Sequence, residues 1–157
     1  MAREVITRSK LPQFPEPGLV ICYSYLWKRE REKRQVEGLK SRPCVVVLSF
    51  EASKQFPGRF VVDVAPVTHS QGEEGVEIPI AVKLRMGLDG DHSWIVTSEV
   101  NRFIWQGPDV RPVRHLRPIS EDEWHWGFLA NDIFRKVIAQ IAERREAKTL
   151  AIIGRSL

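Results

Sequence analysis

The sequence predicts a mainly β protein with helices, of the α+β class, built as a small barrel with a C-terminal α-helix. Two observations predict the barrel. Residues 40–49 (KSRPCVVVLS) and 60–69 (FVVDVAPVTH) are β-branched apolar runs that read as strands buried on both faces. Further short apolar segments are separated by Gly- and Pro-containing turns, which favours a barrel over a parallel α/β sheet. The third observation predicts the helix. Ser120-Glu121-Asp122-Glu123 has the form of a capping box with an acidic first turn. Beyond it, Trp126, Ala130, Ile133, Phe134, Val137, Ile138 and Ile141 recur on one helical face.

Taken in order, residues 1–17 carry Pro12, Pro15 and Pro17 and read as a flexible N-terminal tail. Residues 18–157 form a single domain, the chain being long enough to bury a core. Residues 19–27 give a first strand, 28–41 a basic loop, and 43–50 and 59–67 the second and third strands. Phe56-Pro57-Gly58 marks the turn between the last two. A short strand over 76–80 precedes one helical turn over 81–86, stopped at Gly87. Residues 93–98 form another strand, 105–109 a turn and 110–113 a last short strand. The helix spans about residues 121–146. Trp124, Phe128 and Leu129 lie off its main apolar face. That surplus of aromatics fits packing on the barrel or against a partner chain.

Composition bounds the function. Hydrophobic residues make up 43% and charged residues 28%, as in an ordinary globular chain. No signal peptide is readable at the N-terminus, and no apolar run approaches membrane-spanning length. A soluble, cytoplasmic protein is expected, with Cys22 and Cys44 as buried, reduced thiols. The formal net charge is +4, and it is unevenly placed. Lys28, Arg29, Arg31, Lys33, Arg34, Lys40 and Arg42 face only Glu30, Glu32 and Glu37, a surplus equal to the whole net charge. Arg111, Arg114 and Arg117 form a second basic stretch. Such patches attract polyanions without reading sequence. Helix-spaced pairs such as Glu30 with Arg34 equally suit a solvated helical loop.

The strand ends carry the chemistry. One strand begins at Arg42-Pro43, where Pro needs to donate no ladder bond, and another ends at Thr68-His69. Antiparallel pairing would bring these ends to one edge of the sheet. A fixed guanidinium beside a hydroxyl suits the charge of a phosphodiester. By strand alternation, His69 should point away from Thr68 unless the strand has already ended. Its imidazole makes it a candidate for proton transfer. Asp89-Gly90-Asp91-His92 fails the EF-hand register and reads as a hairpin turn. No Cys or His pair has zinc spacing, and no metal or other cofactor is expected.

In this order, the residues resemble the MazF/PemK family of toxin ribonucleases. The motifs are Gly18-Leu19-Val20, Arg42-Pro43, Pro66-Val67-Thr68, Val76-Glu77-Ile78, Gly87-Leu88-Asp89, and Ser93-Trp94-Ile95-Val96 running into Glu99-Val100-Asn101-Arg102. The resemblance covers about residues 18–145. It implies a small SH3-like barrel of the CcdB/MazF type with a C-terminal helix. The implied activity is metal-independent endoribonucleolytic cleavage of single-stranded RNA, by the toxin of a type II toxin–antitoxin pair. The expected partners are RNA, a cognate antitoxin and a second copy of the chain. Arg42 and Thr68 match the catalytic pair, and Glu99 and Arg102 match the family's acid and base after the last long strand. The expected RNA contacts are Lys28, Arg29, Arg31, Lys33, Arg34, Lys40, Glu99 and Arg102. Val100 stands where the family often has Gln, and the basic loop keeps only Gly38 of the usual pair of small residues. The alternative is a non-catalytic nucleic-acid-binding protein or a gyrase poison on the same fold. The Trp-containing C-terminus of such poisons has no counterpart in Gly154-Arg155-Ser156-Leu157.

Overall fold

The two apolar runs pair with each other as antiparallel neighbours. The computed structural model describes residues 11–38, 40–55, 57–70, 75–113 and 123–155. Its strands are β1 (Leu19–Ser24), β2 (Ser41–Glu51), β3 (Phe60–Thr68), β4 (Gly75–Ile78), β5 (Ser93–Val96), β6 (Glu99–Ile104), β7 (Val110–Arg111), β8 (His125–Phe128) and β9 (Ala151–Gly154). The helices are α1 (Lys28–Glu32), α2 (Ile80–Met86) and α3 (Asn131–Glu146). One mainly antiparallel sheet runs β4-β5-β3-β2-β1-β7, with β6 joined to β3 and β9 and with β8 joined to β1. The class is α+β, as the sequence predicts. Among the described residues the hydrogen-bond ladder does not close on itself.

The runs lack polar alternation because both faces of the central strands are covered. Val45, Val47, Ala65 and Val67 pack with Val20, Ile95, Trp126 and the α3 residues Ile133, Val137 and Ile141. Cys44, Val46, Val62 and Val64 face the other way, against Ile21, Tyr23, Tyr25 and Phe103. Pro43 stands opposite Cys22 near the start of β2, where its missing N–H is tolerated. No helix among the described residues is long and apolar enough to cross a membrane.

Several expected elements differ. The C-terminal helix begins at Asn131 rather than near residue 121. Residues 125–128 instead form β8, antiparallel to β1, and bury Trp126 in the core. Gly127 takes φ +82, a left-handed conformation that a right-handed helix cannot contain. Ser120, Glu121 and Asp122 of the expected capping box lie outside the described residues. The first strand stops at Ser24, and the basic loop contains α1, in which the Glu30 carboxylate accepts the Trp27 N–H at 3.0 Å. The fourth strand ends at Ile78 and the last short strand at Arg111. Residues 99–104 form a strand in their own right, and β9 pairs parallel with it.

Of the expected N-terminal tail, residues 1–10 lie outside the described residues, whereas 11–17 are laid on the sheet. Trp105 Nε1 donates to the Pro12 carbonyl at 2.8 Å. Phe14 meets Phe60 edge to face, with ring centroids 4.9 Å apart.

Candidate functional site

Antiparallel pairing of β2 and β3 brings their functional ends together, with Cys44 opposite Pro66. Arg42 lies two residues before Cys44 and Thr68 two after Pro66. Alternation therefore places both side chains on the face that carries Cys44, Val46, Val62 and Val64. Arg42, Thr68 and His69 line a single cavity of about 770 Å³ at this edge. Trp27, Arg29, Glu30, Lys40, Lys83, Asp89 and Ser93 share its wall.

Arg42 is half-buried beneath the basic segment. Its Nη1 donates to the Val67 carbonyl at 3.3 Å, and its guanidinium lies 4.9 Å from the Trp27 ring centroid. Arg29 sits 4.8 Å from the same ring. The Nε of Arg42 is buried without a hydrogen-bond partner, while the residue lines the cavity. Burial pulls the guanidinium below its ordinary pKa, against the opposing effects of Cys44 and Glu30. It remains a cation at any physiological pH. Thr68 is buried at the strand end, and its Oγ1 accepts the Ser70 N–H at 3.1 Å. That bond uses the oxygen and leaves the hydroxyl proton to be donated.

His69 projects toward a different set of partners. Its Nε2 lies 3.0 Å from Asp89 Oδ2, and both side chains are more than half exposed. The other Asp89 oxygen accepts from Lys83 Nζ at 2.5 Å and from the Asp91 N–H at 3.0 Å. Lys83 itself is buried and also donates to the Asp91 carbonyl at 2.5 Å and to Ser93 Oγ at 2.6 Å. Burial pushes the Asp89 carboxyl up, but the Lys83 and Asp91 hydrogen bonds outweigh it and hold the group below its ordinary pKa. Asp89-Gly90-Asp91, expected as a hairpin turn, instead lies in the connection from α2 to β5, folded around a buried ammonium.

His69, Asp89 and Asp91 bring one donor atom each within 4.8 Å of one another. Lys83 already places a cation on Asp89, supplying the positive charge that a metal would bring. The trio is not assigned to a metal.

The other expected contact residues divide. Arg29 and Lys40 join Arg42 in the cavity wall. Arg31 donates to the Gly154 carbonyl and lines a separate depression with Arg34, Val36 and Arg155. Lys28 pairs with Glu32 at 3.9 Å on the exposed side of α1, and Lys33 is exposed at its end. Glu99 does not line the cavity. Its Oε1 accepts from Tyr25 Oη at 3.1 Å and from the Lys28 N–H at 2.9 Å, anchoring the start of α1. Arg102 is held by buried Asp63 through bonds of 2.7 and 3.0 Å. That carboxylate raises the Arg102 pKa, and the pair ties β6 to β3. In the second basic stretch, Arg111 donates to the Pro108 carbonyl, while Arg114 and Arg117 lie outside the described residues.

Sequence reasoning passed over Trp27, Glu30, Lys83 and Asp89 as parts of this wall. Lys83 had a readable signal: a lysine three residues after Ile80 and three before Met86, within an apolar helical stripe. No protein-family model matches the chain, and no curated protein or solved structure matches it.

Proposed function

We propose that the protein is a metal-independent endoribonuclease for single-stranded RNA, acting on a MazF/PemK-type barrel as the toxin of a toxin–antitoxin pair. One observation carries this reading: a half-buried Arg42 guanidinium lines the same cavity as Thr68, on the same face of adjacent strand ends. In RNA cleavage the ribose 2′-oxygen attacks the adjacent phosphorus, and charge builds on the non-bridging oxygens. A planar guanidinium and a neighbouring hydroxyl are donors suited to that charge. Arg29 and Lys40 add positive potential at the cavity wall, where a strand of RNA would approach. The partners proposed with this reading are RNA, an antitoxin protein and a second copy of the chain.

The test is incubation of purified protein with single-stranded RNA in excess EDTA. The reading expects fragments ending in 2′,3′-cyclic phosphate and 5′-hydroxyl. RNA bound but left intact would support the non-catalytic alternative. RNA neither bound nor cut would remove both.

A further inference from the structure

We infer that His69 is the proton-transfer residue of this site, with Asp89 as its positioning partner and Lys83 as the anchor of Asp89. The inference rests on the RNA-cleavage reading and goes beyond it, because Arg42 and Thr68 alone leave the proton of the attacking hydroxyl without an acceptor. A guanidinium that stays charged does not take it, and Thr68 is a donor to developing charge rather than a base. Among the cavity-lining residues, His69 is the group whose ordinary pKa lies near neutrality.

The geometry prepares the ring. Asp89 Oδ2 faces Nε2 at 3.0 Å. An ionised carboxylate there places the neutral ring's proton on Nε2, leaving the lone pair of Nδ1 to act as base. Asp89 is itself held from two directions, by the buried Lys83 ammonium and by the Asp91 N–H. Lys83 cannot swing away, since it is also bound to the Asp91 carbonyl and Ser93 Oγ. A base fixed by a third group is the arrangement by which acid–base sites hold one tautomer.

Thr68 ends β3, and the ring of His69, the next residue, meets Asp89. His69 thus lines the same cavity as Arg42 and Thr68 while being held by a partner of its own. A base held separately from the donors to the non-bridging oxygens suits an in-line displacement. In that step the 2′-hydroxyl proton passes to Nδ1 of His69 as the 2′-oxygen–phosphorus bond forms. The bond from phosphorus to the 5′-oxygen breaks, and the leaving oxygen takes a proton from solvent water.

The charged groups that share the cavity with His69 are Asp89 from the turn, Lys83 from α2, Arg42 from β2, Lys40 just before it, and Arg29 and Glu30 from α1, and Asp91 lies beside His69 and Asp89. Asp89 is the one in direct contact, so its loss should show in the cleavage step rather than in RNA binding. The experiment measures single-turnover RNA cleavage in EDTA over a range of RNA and protein concentrations, so that rate and affinity separate, for wild type, Arg42→Lys, His69→Gln and Asp89→Asn, with circular dichroism of each. His69→Gln, altered at an exposed side chain, should keep its fold and lose about 10²- to 10⁴-fold in rate. Asp89→Asn should lower the cleavage rate while leaving RNA affinity unaltered, since the ring of His69 is then no longer held in one tautomer. A wild-type rate in folded His69→Gln, with Arg42→Lys inactive, would overturn this inference alone. A slow His69→Gln beside an Asp89→Asn of unaltered rate would remove Asp89 as positioning partner. Absence of wild-type cleavage would overturn the reading and the inference together.

Discussion

The guanidinium of Arg42 lies over the indole of Trp27, 4.9 Å from the ring centroid, and Arg29 lies 4.8 Å from the same ring. The indole is buried and its ring quadrupole attracts both cations, so it gathers like charges that would otherwise repel. Trp27→Leu keeps an apolar side chain but removes the quadrupole. It should weaken RNA binding by about 1 kcal/mol, roughly fivefold, with the fold retained. Trp27→Ala should also cost about 3 to 5 kcal/mol of stability through the space it leaves. Filter binding and urea denaturation check the two effects separately, and unchanged binding by Trp27→Leu would remove the indole from the site.

Arg102 and Asp63 give a second test, because the resemblance assigns Arg102 to RNA and the structure ties it to a carboxylate. Asp63 is fully buried and takes two bonds from the guanidinium. Arg102→Gln should strand that charge and destabilise the fold by about 3 kcal/mol. The double substitution Arg102→Met with Asp63→Val should be less destabilised than the single one. Urea midpoints decide this. A stable Arg102→Gln protein with weakened RNA affinity would return Arg102 to the RNA surface.

The basic segment should divide in the same way. Replacing Arg29 and Lys40 by Gln should flatten the salt dependence of binding by about 0.7 in slope for each phosphate no longer neutralised. Replacing Arg31 and Arg34, which line the separate depression, should leave that slope unaltered. Titrations of single-stranded RNA at several salt concentrations provide the measurement. Equal effects of the two pairs would show an undirected cationic surface.

The buried thiols and phenols predict a loss of stability in base. Burial pushes Cys22 up to about 12 and raises Cys44, Tyr23 and Tyr25 as well. Unfolded thiols ionise near pH 8.5, so above that pH the unfolded state binds fewer protons than the folded one. Stability is therefore fully present below about pH 8.5 and falls as pH rises toward the folded value, by about 1.4 kcal/mol per pH unit for each such thiol. Urea midpoints at pH 8 and pH 10.5 check the sign. At pH 8 neither cysteine should react with iodoacetamide until denaturant is added.

The legible parts of the fold are those set by burial along the chain. β2 and β3 announce themselves because a strand covered on both faces needs no polar alternation, and the meeting of Arg42 with Thr68 follows from pairing them antiparallel. The helix start is misplaced at residues 121–130 because aromatic spacing there also fits a strand that sends Trp126 inward. β9 has little to announce it, being four residues whose partner β6 lies far back in the chain. Asp63 does carry a signal: an acid within a buried apolar run needs a cation, and that need points to Arg102 as its partner. The Lys83–Asp89–His69 chain depends on the α2 turn folding back beside the end of β3, which no local pattern specifies.

Arg42 and Thr68 acting on one transition state is the central claim, and single-turnover RNA cleavage in EDTA by Arg42→Lys, Thr68→Val and the double variant tests it most directly. Lys cannot reproduce the planar fork of Arg42, and Val removes the Thr68 hydroxyl while keeping its shape. Each single variant should fold and lose about 10²- to 10³-fold in rate. Because both donors serve the same developing charge, the double variant should be little slower than the worse single one. Cleavage at the wild-type rate by a folded Arg42→Lys, Thr68→Val protein would contradict the account.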